Sequence, residues 1–191
     1  PTVRIDLIER VMQICEERSN SSDFVICSNI TDLTDDYKRL LERDDLSIST
    51  SIDGPIEVMT KNRTFDDDIS KRIFENFNWI LKTYGPEKIS ALPTVTEQQI
   101  QHPKELVDCY YDLGFESIFL RPVNYMGFAR KQHSELSRQI NSWNDFYSKA
   151  LEHIKDINKK RYMEEFYMAM IVRNIFAKEV SGFVDYRSPA G

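Results

Sequence analysis

Apolar positions along this chain switch between two rhythms, and their order predicts an α/β fold. Over 4–18, Ile5, Ile8, Met12 and Cys15 recur at helical spacing, one stripe of an amphipathic helix that places Cys15 in the core. After a Ser/Asn-rich break comes Phe24-Val25-Ile26-Cys27-Ser28-Asn29, a short and nearly continuous apolar run of the kind that parallel sheets bury on both faces. Thr34 with Asp35 and Asp36 supplies the cap and acidic first turn of a helix that continues to about Arg43.

A strand follows in Ser47-Ile48-Ser49-Thr50-Ser51-Ile52-Asp53-Gly54-Pro55. Successive strand side chains alternate, so Ser47, Ser49, Ser51 and Asp53 share one face and Ile48, Thr50 and Ile52 the other. In a parallel α/β fold the helix-facing side is apolar, and ligands bind near the C-terminal ends of strands. This strand therefore reads as the wall of a polar-lined pocket; a Ser/Thr-rich edge strand facing solvent is the alternative. A polar loop over 56–62 leads to a helix over 66–84 with Ile69, Ile73, Phe77, Ile80 and Tyr84 on one side, stopped by Gly85-Pro86. A strand over 89–95, a helix over 103–113 opened by Pro103 and closed by Gly114, and a strand over 117–121 ending at Pro122 complete the alternation.

Alternating strands and helices predict βαβ units in a parallel sheet, here a partial (β/α) barrel. A complete (β/α)8 barrel needs about 250 residues, and the open side of an incomplete arc predicts marginal stability. The last third predicts two helices, over 136–158 and 160–178, the second apolar almost all round and so covered on more than one side. The division is thus a barrel core over 1–135 and a C-terminal helical segment over 136–191 that leads toward a further extension. The chain opens at Pro1 without methionine and closes on Arg-Ser-Pro-Ala-Gly, and both ends are expected to be cut.

Length and composition, 191 residues with 41% hydrophobic, suffice for one globular core. A net charge of -6 argues against nucleic acid as the main partner, and the basic run from Lys155 to Arg161 reads as a solvated helix face. No run of about 18 apolar residues predicts a membrane span, and no charged-then-apolar leader is visible. Cys15, Cys27 and Cys109 are too few and too far apart for a disulfide framework, which sets a reducing, cytoplasmic location as the expectation.

Candidate chemistry gathers at strand ends. Asn29 closes its strand at the height of the hydroxyl face, where it lines the pocket or satisfies its own turn. Arg121 offers a guanidinium fork for a carboxylate or phosphate, or a structural ion pair. Arg63 reaches an anionic ligand or folds back onto Asp66, Asp67 and Asp68. Cys27 inside an apolar strand reads as a small hydrophobe. His102, His133 and His153 have no ligand-like spacing, so no metal site is expected from this segment. No Ser-His-Asp order or glycine-rich phosphate loop is present.

Ser51-Ile52-Asp53-Gly54-Pro55 with Lys61-Asn62-Arg63, then Leu92-Pro93-Thr94-Val95-Thr96 and Leu120-Arg121-Pro122, resemble the middle of a radical S-adenosylmethionine (SAM) enzyme. The likeness is to peptide-modifying members with a cysteine-rich, SPASM-like C-terminal extension, related to the anaerobic sulfatase maturases. The stretch from Leu120 to Ala129, with Gly127-Phe128-Ala129, and the closing residues 185–191 suggest maturases of His-Xaa-Ser system peptides. The resemblance implies a partial (β/α)6 barrel, of which this chain supplies the third to sixth strands. Pro1 would end the family's Gly-Gly-Glu-Pro motif.

By the same resemblance the cofactors of the intact parent are S-adenosylmethionine and a [4Fe-4S] cluster. The cluster's Cys-x3-Cys-x2-Cys loop is absent from this segment, and its three cysteines are too far apart to replace it. Asn29, Ser49, Ser51 and Asp53 would contact the cofactor's polar groups, with Leu120 beside the adenine. Arg63 and Arg121 would bind its carboxylate or position a peptide. The implied activity is cleavage of S-adenosylmethionine to a 5'-deoxyadenosyl radical that modifies a peptide or small protein. The piece alone would lack turnover without the N-terminal part of its barrel. Two other readings stand beside it: a non-catalytic half-barrel binding or structural module without a cluster, and an ordinary barrel enzyme using Asp53 and Arg121 in acid-base chemistry.

Overall fold

A computed structural model describes residues 4–19, 21–122 and 136–177. Its strands run parallel throughout. β1 (Phe24–Cys27) pairs with β2 (Leu46–Thr50), which pairs with β3 (Ile89–Ala91), in the order β1-β2-β3. β4 (Ser117–Ile118) and β5 (Glu164–Glu165) form a second parallel pair, and a parallel bridge between Val95 and Pro122 links the segments that follow β3 and β4. Between the strands lie α1 (Ile5–Glu16), α2 (Asp35–Leu41), α3 (Ile56–Met59), a π-helical turn (Thr60–Thr64), α4 (Asp67–Tyr84), α5 (Pro103–Asp112), α6 (Leu136–Ile157) and α7 (Phe166–Phe176). This is a partial parallel (β/α) barrel.

Local chemistry explains the boundaries. The Thr34 hydroxyl accepts from the Tyr37 amide at 3.2 Å to open α2, and the Asp66 carboxylate accepts from the Asp68 and Ile69 amides at 2.8 and 3.0 Å to open α4. Gly85, with φ of 89°, ends α4 in a conformation that suits glycine. Behind the sheet, Ile48, Ile52 and Ile89 pack with Phe77, Ile80 and Tyr110 in one dry core. Tyr110 is fully buried, and its hydroxyl donates to the Ile52 carbonyl at 2.7 Å. That bond ties α5 to the segment leaving β2 and satisfies a buried donor.

Four expectations are corrected. β1 is buried on one face only: Ile26 is buried, whereas Val25 is 61% exposed and Cys27 is exposed. Val25 and Cys27 are in register with Ser47 and Ser49, on the face turned away from the core. Cys15, expected in the core, is half-buried. The polar loop over 56–62 is helical, as α3 and the π-helical turn. Finally, 160–178 is not one helix. Glu164–Glu165 extends to pair with β4, and the Glu165 side chain then caps α7 by accepting from the Met168 amide at 2.7 Å. α7 is covered less than its composition suggests, with Ile175 64% and Phe176 81% exposed. Pro1, His133, Gly127-Phe128-Ala129, the boundary at 135 and residues 185–191 lie outside the described residues.

Candidate cofactor site

The hydroxyl strand turns its serines away from the core. Leu46, Ile48 and Thr50 are buried while Ser47 and Ser49 are half-buried, the outcome of apolar alternation packing against helices. Register places Cys27, Ser49 and Ser90 side by side across β1, β2 and β3. Above them, at the C-terminal ends of the strands, a cavity of about 920 Å³ is lined by Cys27, Asn29, Ser49, Ser51 and Arg63 among others. Its size falls in the range of about 300–1,000 Å³ usual for small-molecule sites.

Asn29 sits on the rim where β1 turns away. Its Oδ1 accepts from the Thr31 amide at 3.4 Å, a long bond. The turn is held from elsewhere: the Ser28 hydroxyl accepts from the Ile30 amide at 3.1 Å, and the Asn76 amide donates to the carbonyls of Ile30 and Thr31 at 2.7 and 3.1 Å. Asn29 is therefore placed by its neighbours and lines the cavity.

Asp53 does not follow the serines into that cavity. The strand ends at Thr50, so alternation no longer directs Asp53, which is 2% exposed. Its carboxylate accepts from Arg63 at 2.6 and 2.8 Å and from the Thr94 amide at 2.9 Å. Its carbonyl accepts from Gln99 at 3.1 Å. A buried carboxylate is tolerable only when ionic and hydrogen-bond partners replace water, and here an arginine fork supplies two of them.

Arg63 thus meets Asp53, neither folding onto the acidic run at 66–68 nor standing free. Its carrier is the π-helical turn, pinned to α4 where buried Ser70 bonds the hydroxyls of Thr60 at 2.9 Å and Thr64 at 2.6 Å. The Asp53 and Thr94 contacts use Nε and one terminal nitrogen; the other terminal nitrogen has no acceptor among the described residues. The side chain lines the cavity.

Leu120 and Arg121 lie beyond β4 and do not line this cavity. Leu120 is buried, and its amide donates to Glu165 Oε1 at 3.1 Å. The Tyr147 hydroxyl and the Met168 amide donate to the other oxygen. Arg121 lies 5.4 Å from the Phe119 ring centroid, and its Nε has no hydrogen-bond partner among the described residues.

Thr94, Gln99, Asn76 and Glu165 are the positioning residues that sequence reading missed. The Leu92–Thr96 stretch drew attention only through the resemblance; Gln99, Asn76 and Glu165 carry no local signal, because each acts on backbone far along the chain. Burial also sets two ionisations: it pushes the Cys109 thiol up to about 12, and it raises the Tyr110 hydroxyl well above its ordinary value, with the nearby Asp53 charge adding to the rise. Among the described residues no group of three or more His, Cys, Asp or Glu side chains is placed to hold a metal, and no helix is long and apolar enough to cross a membrane.

No family model and no curated protein matches the chain. Solved structures do. The structure of native anSMEcpe with bound AdoMet superposes with a TM-score of 0.72 at 16% identity. The same protein with AdoMet and the Cp18Cys peptide gives 0.74 at 14%, and with AdoMet and the Kp18Cys peptide 0.72 at 16%. Each match covers 93% of this chain and 50% of the neighbour, so the chain spans about half the length of the structures it resembles. The chain has the fold of about half of each of these structures.

Proposed function

We propose that this chain is the central and C-terminal part of a radical SAM barrel, and that the whole protein modifies a peptide or small protein. One observation carries the reading: a small-molecule-sized cavity at the strand ends, walled by Ser49, Ser51 and Asn29 and faced by Arg63, in a fold whose neighbours hold AdoMet. The residues fit that cofactor. Ser49, Ser51 and Asn29 offer polar groups along its wall, and Arg63 keeps one terminal nitrogen for a carboxylate. No described residues fit the [4Fe-4S] cluster, and its ligands are assigned to another part of the protein.

In this reading Ser49, Ser51 and Asn29 hold the cofactor's polar groups. Arg63 binds its carboxylate, with Asp53 fixing the direction of the fork rather than touching the ligand. Leu120 and Arg121 belong to the wall beyond β4, Leu120 beside the adenine and Arg121 as the peptide-positioning cation. When bound with its cluster, the cofactor supplies reductive cleavage and hydrogen abstraction; the protein binds, orients and excludes water. A cytoplasmic location goes with this chemistry. The finer likeness to maturases of His-Xaa-Ser peptides rests on 120–129 and 185–191, of which only 120–122 are described.

Calorimetric titration of the full-length protein with S-adenosylhomocysteine tests the site. Saturable binding, weakened about tenfold or more by Arg63→Lys and also reduced by Ser51→Ala, is expected from the loss of charge-assisted and polar bonds. Absence of binding by the unaltered protein rejects the cofactor site and favours the half-barrel module. After anaerobic cluster reconstitution, release of 5'-deoxyadenosine under strong reductant tests the reaction class.

A further inference from the structure

Ser70 stands one layer behind the cavity. It is fully buried on α4 and does not line that space, yet its hydroxyl meets two others, Thr60 Oγ1 at 2.9 Å and Thr64 Oγ1 at 2.6 Å. Each hydroxyl has one proton to give. Thr64 donates to the Asp66 carbonyl at 2.9 Å, so Ser70 donates to Thr64 and Thr60 donates to Ser70. The chain of bonds runs one way, from the first residue of the π-helical turn through Ser70 to its last, and ends on the residue that caps α4.

The turn needs such a tie. Its closure, the Phe65 amide donating to the Thr60 carbonyl at 2.8 Å, is the wide π-helical form, which is rare. It leads into Phe65 in the left-handed conformation. Asp53 holds the far end of the Arg63 side chain, but the place of the Arg63 backbone comes from this turn. On its other side the turn has only a long bond, from the Thr96 hydroxyl to Asn62 Oδ1 at 3.3 Å. The hydroxyl chain lies wholly between Thr60 and Ser70 and owes nothing to the open side of the barrel.

We propose that Ser70 is a positioning residue for the cofactor: by holding the π-helical turn in its wide form, it aims at a carboxylate the terminal nitrogen of Arg63 that Asp53 leaves unused. The proposal rests on the reading above that Arg63 binds that carboxylate. Ser70 then favours ligands that carry the amino acid group over bare nucleosides without touching either.

Calorimetric titration of the full-length protein with two ligands separates this role from a general loss of structure. S-adenosylhomocysteine carries the carboxylate, whereas 5'-methylthioadenosine keeps the nucleoside and lacks it. In Ser70→Ala the first is expected to bind about fivefold more weakly while the second stays within about twofold. Thr60→Val removes the donor at the head of the chain and keeps the branched shape, so it should give the same pattern, and Thr60→Ser should not. This pair decides the matter if Ser70→Ala fails to fold. Added to Arg63→Lys, either change should bring no further loss, because both act through one contact. Equal weakening of the two ligands overturns the proposal. If Arg63→Lys weakens S-adenosylhomocysteine binding and neither Ser70→Ala nor Thr60→Val does, the proposal alone fails. If Arg63→Lys leaves that binding unchanged, the carboxylate reading of Arg63 fails and the proposal with it.

Discussion

Arg63 grips Asp53 through two bonds, Nε to Oδ2 at 2.6 Å and a terminal nitrogen to Oδ1 at 2.8 Å, joining the π-helical turn to the exit of β2. The carboxylate is 2% exposed and the guanidinium side chain 33%. The partners are therefore unequal. Arg63→Ala strands a buried charge and is expected to cost about 3 kcal/mol, the low end for a broken buried pair because the cation is partly solvated. Asp53→Asn keeps an acceptor for the Thr94 amide and should cost less. Urea unfolding of both variants checks the order; equal losses would mean that the charge is not the issue.

Phe65 follows the π-helical turn with φ of 53° and an 82% exposed ring. The left-handed conformation costs a non-glycine residue about 1–2 kcal/mol, and the exposed ring offsets little of it. Phe65→Gly should therefore raise stability by up to about 1 kcal/mol after glycine's own entropy cost, whereas Phe65→Val should lower it. Melting temperatures of the two variants give the comparison.

Glu165 accepts backbone amides on both oxygens, Leu120 at 3.1 Å and Met168 at 2.7 Å, and Tyr147 donates as well. Glutamine places an NH2 against one of those donors. Glu165→Gln is expected to cost about 1–3 kcal/mol, the penalty of an unsatisfied buried group. Tyr147→Phe removes one donor and leaves the carboxylate two backbone partners, so it should cost less. Chemical denaturation distinguishes them, and amide exchange at Leu120 should accelerate in Glu165→Gln alone.

Alkaline pH should destabilise the fold. Cys109 holds its proton to about 12 in the folded chain against an ordinary 9.0, and Tyr110 is raised above 10.0, both through burial. The unfolded chain releases these protons first, so stability is intact below about pH 9 and falls as pH rises toward 12. In Cys109→Ala and Tyr110→Phe the slope of stability against pH over that window should flatten. An unchanged slope would place the alkaline loss elsewhere.

Helix stripes, caps and the parallel α/β order were legible because each is local. Ile73, Phe77 and Ile80 are buried on one side of α4, and Thr34 caps α2, as period and cap chemistry require. The serine face of β2 was legible for the same reason, since alternation within a strand needs no knowledge of neighbours. The apolar run through Val25 and Cys27 does not tell whether a second layer covers the strand; that depends on what packs against the face these residues share with Ser47 and Ser49. Local pattern gives helix at Glu165 because the pairing partner that extends it, Ile118, lies far upstream.

The sequence by itself therefore determined the elements, their order and which side of the hydroxyl strand is polar, because period, caps and alternation act over a few residues. Only the tertiary structure decided that Ser49, Ser51, Asn29 and Arg63 share one cavity, that Asp53 serves Arg63, and that Cys27 opens into the same space. Those relationships depend on strand register, on where each strand ends and on which surfaces another layer covers, and all three are set by contacts between residues distant along the chain.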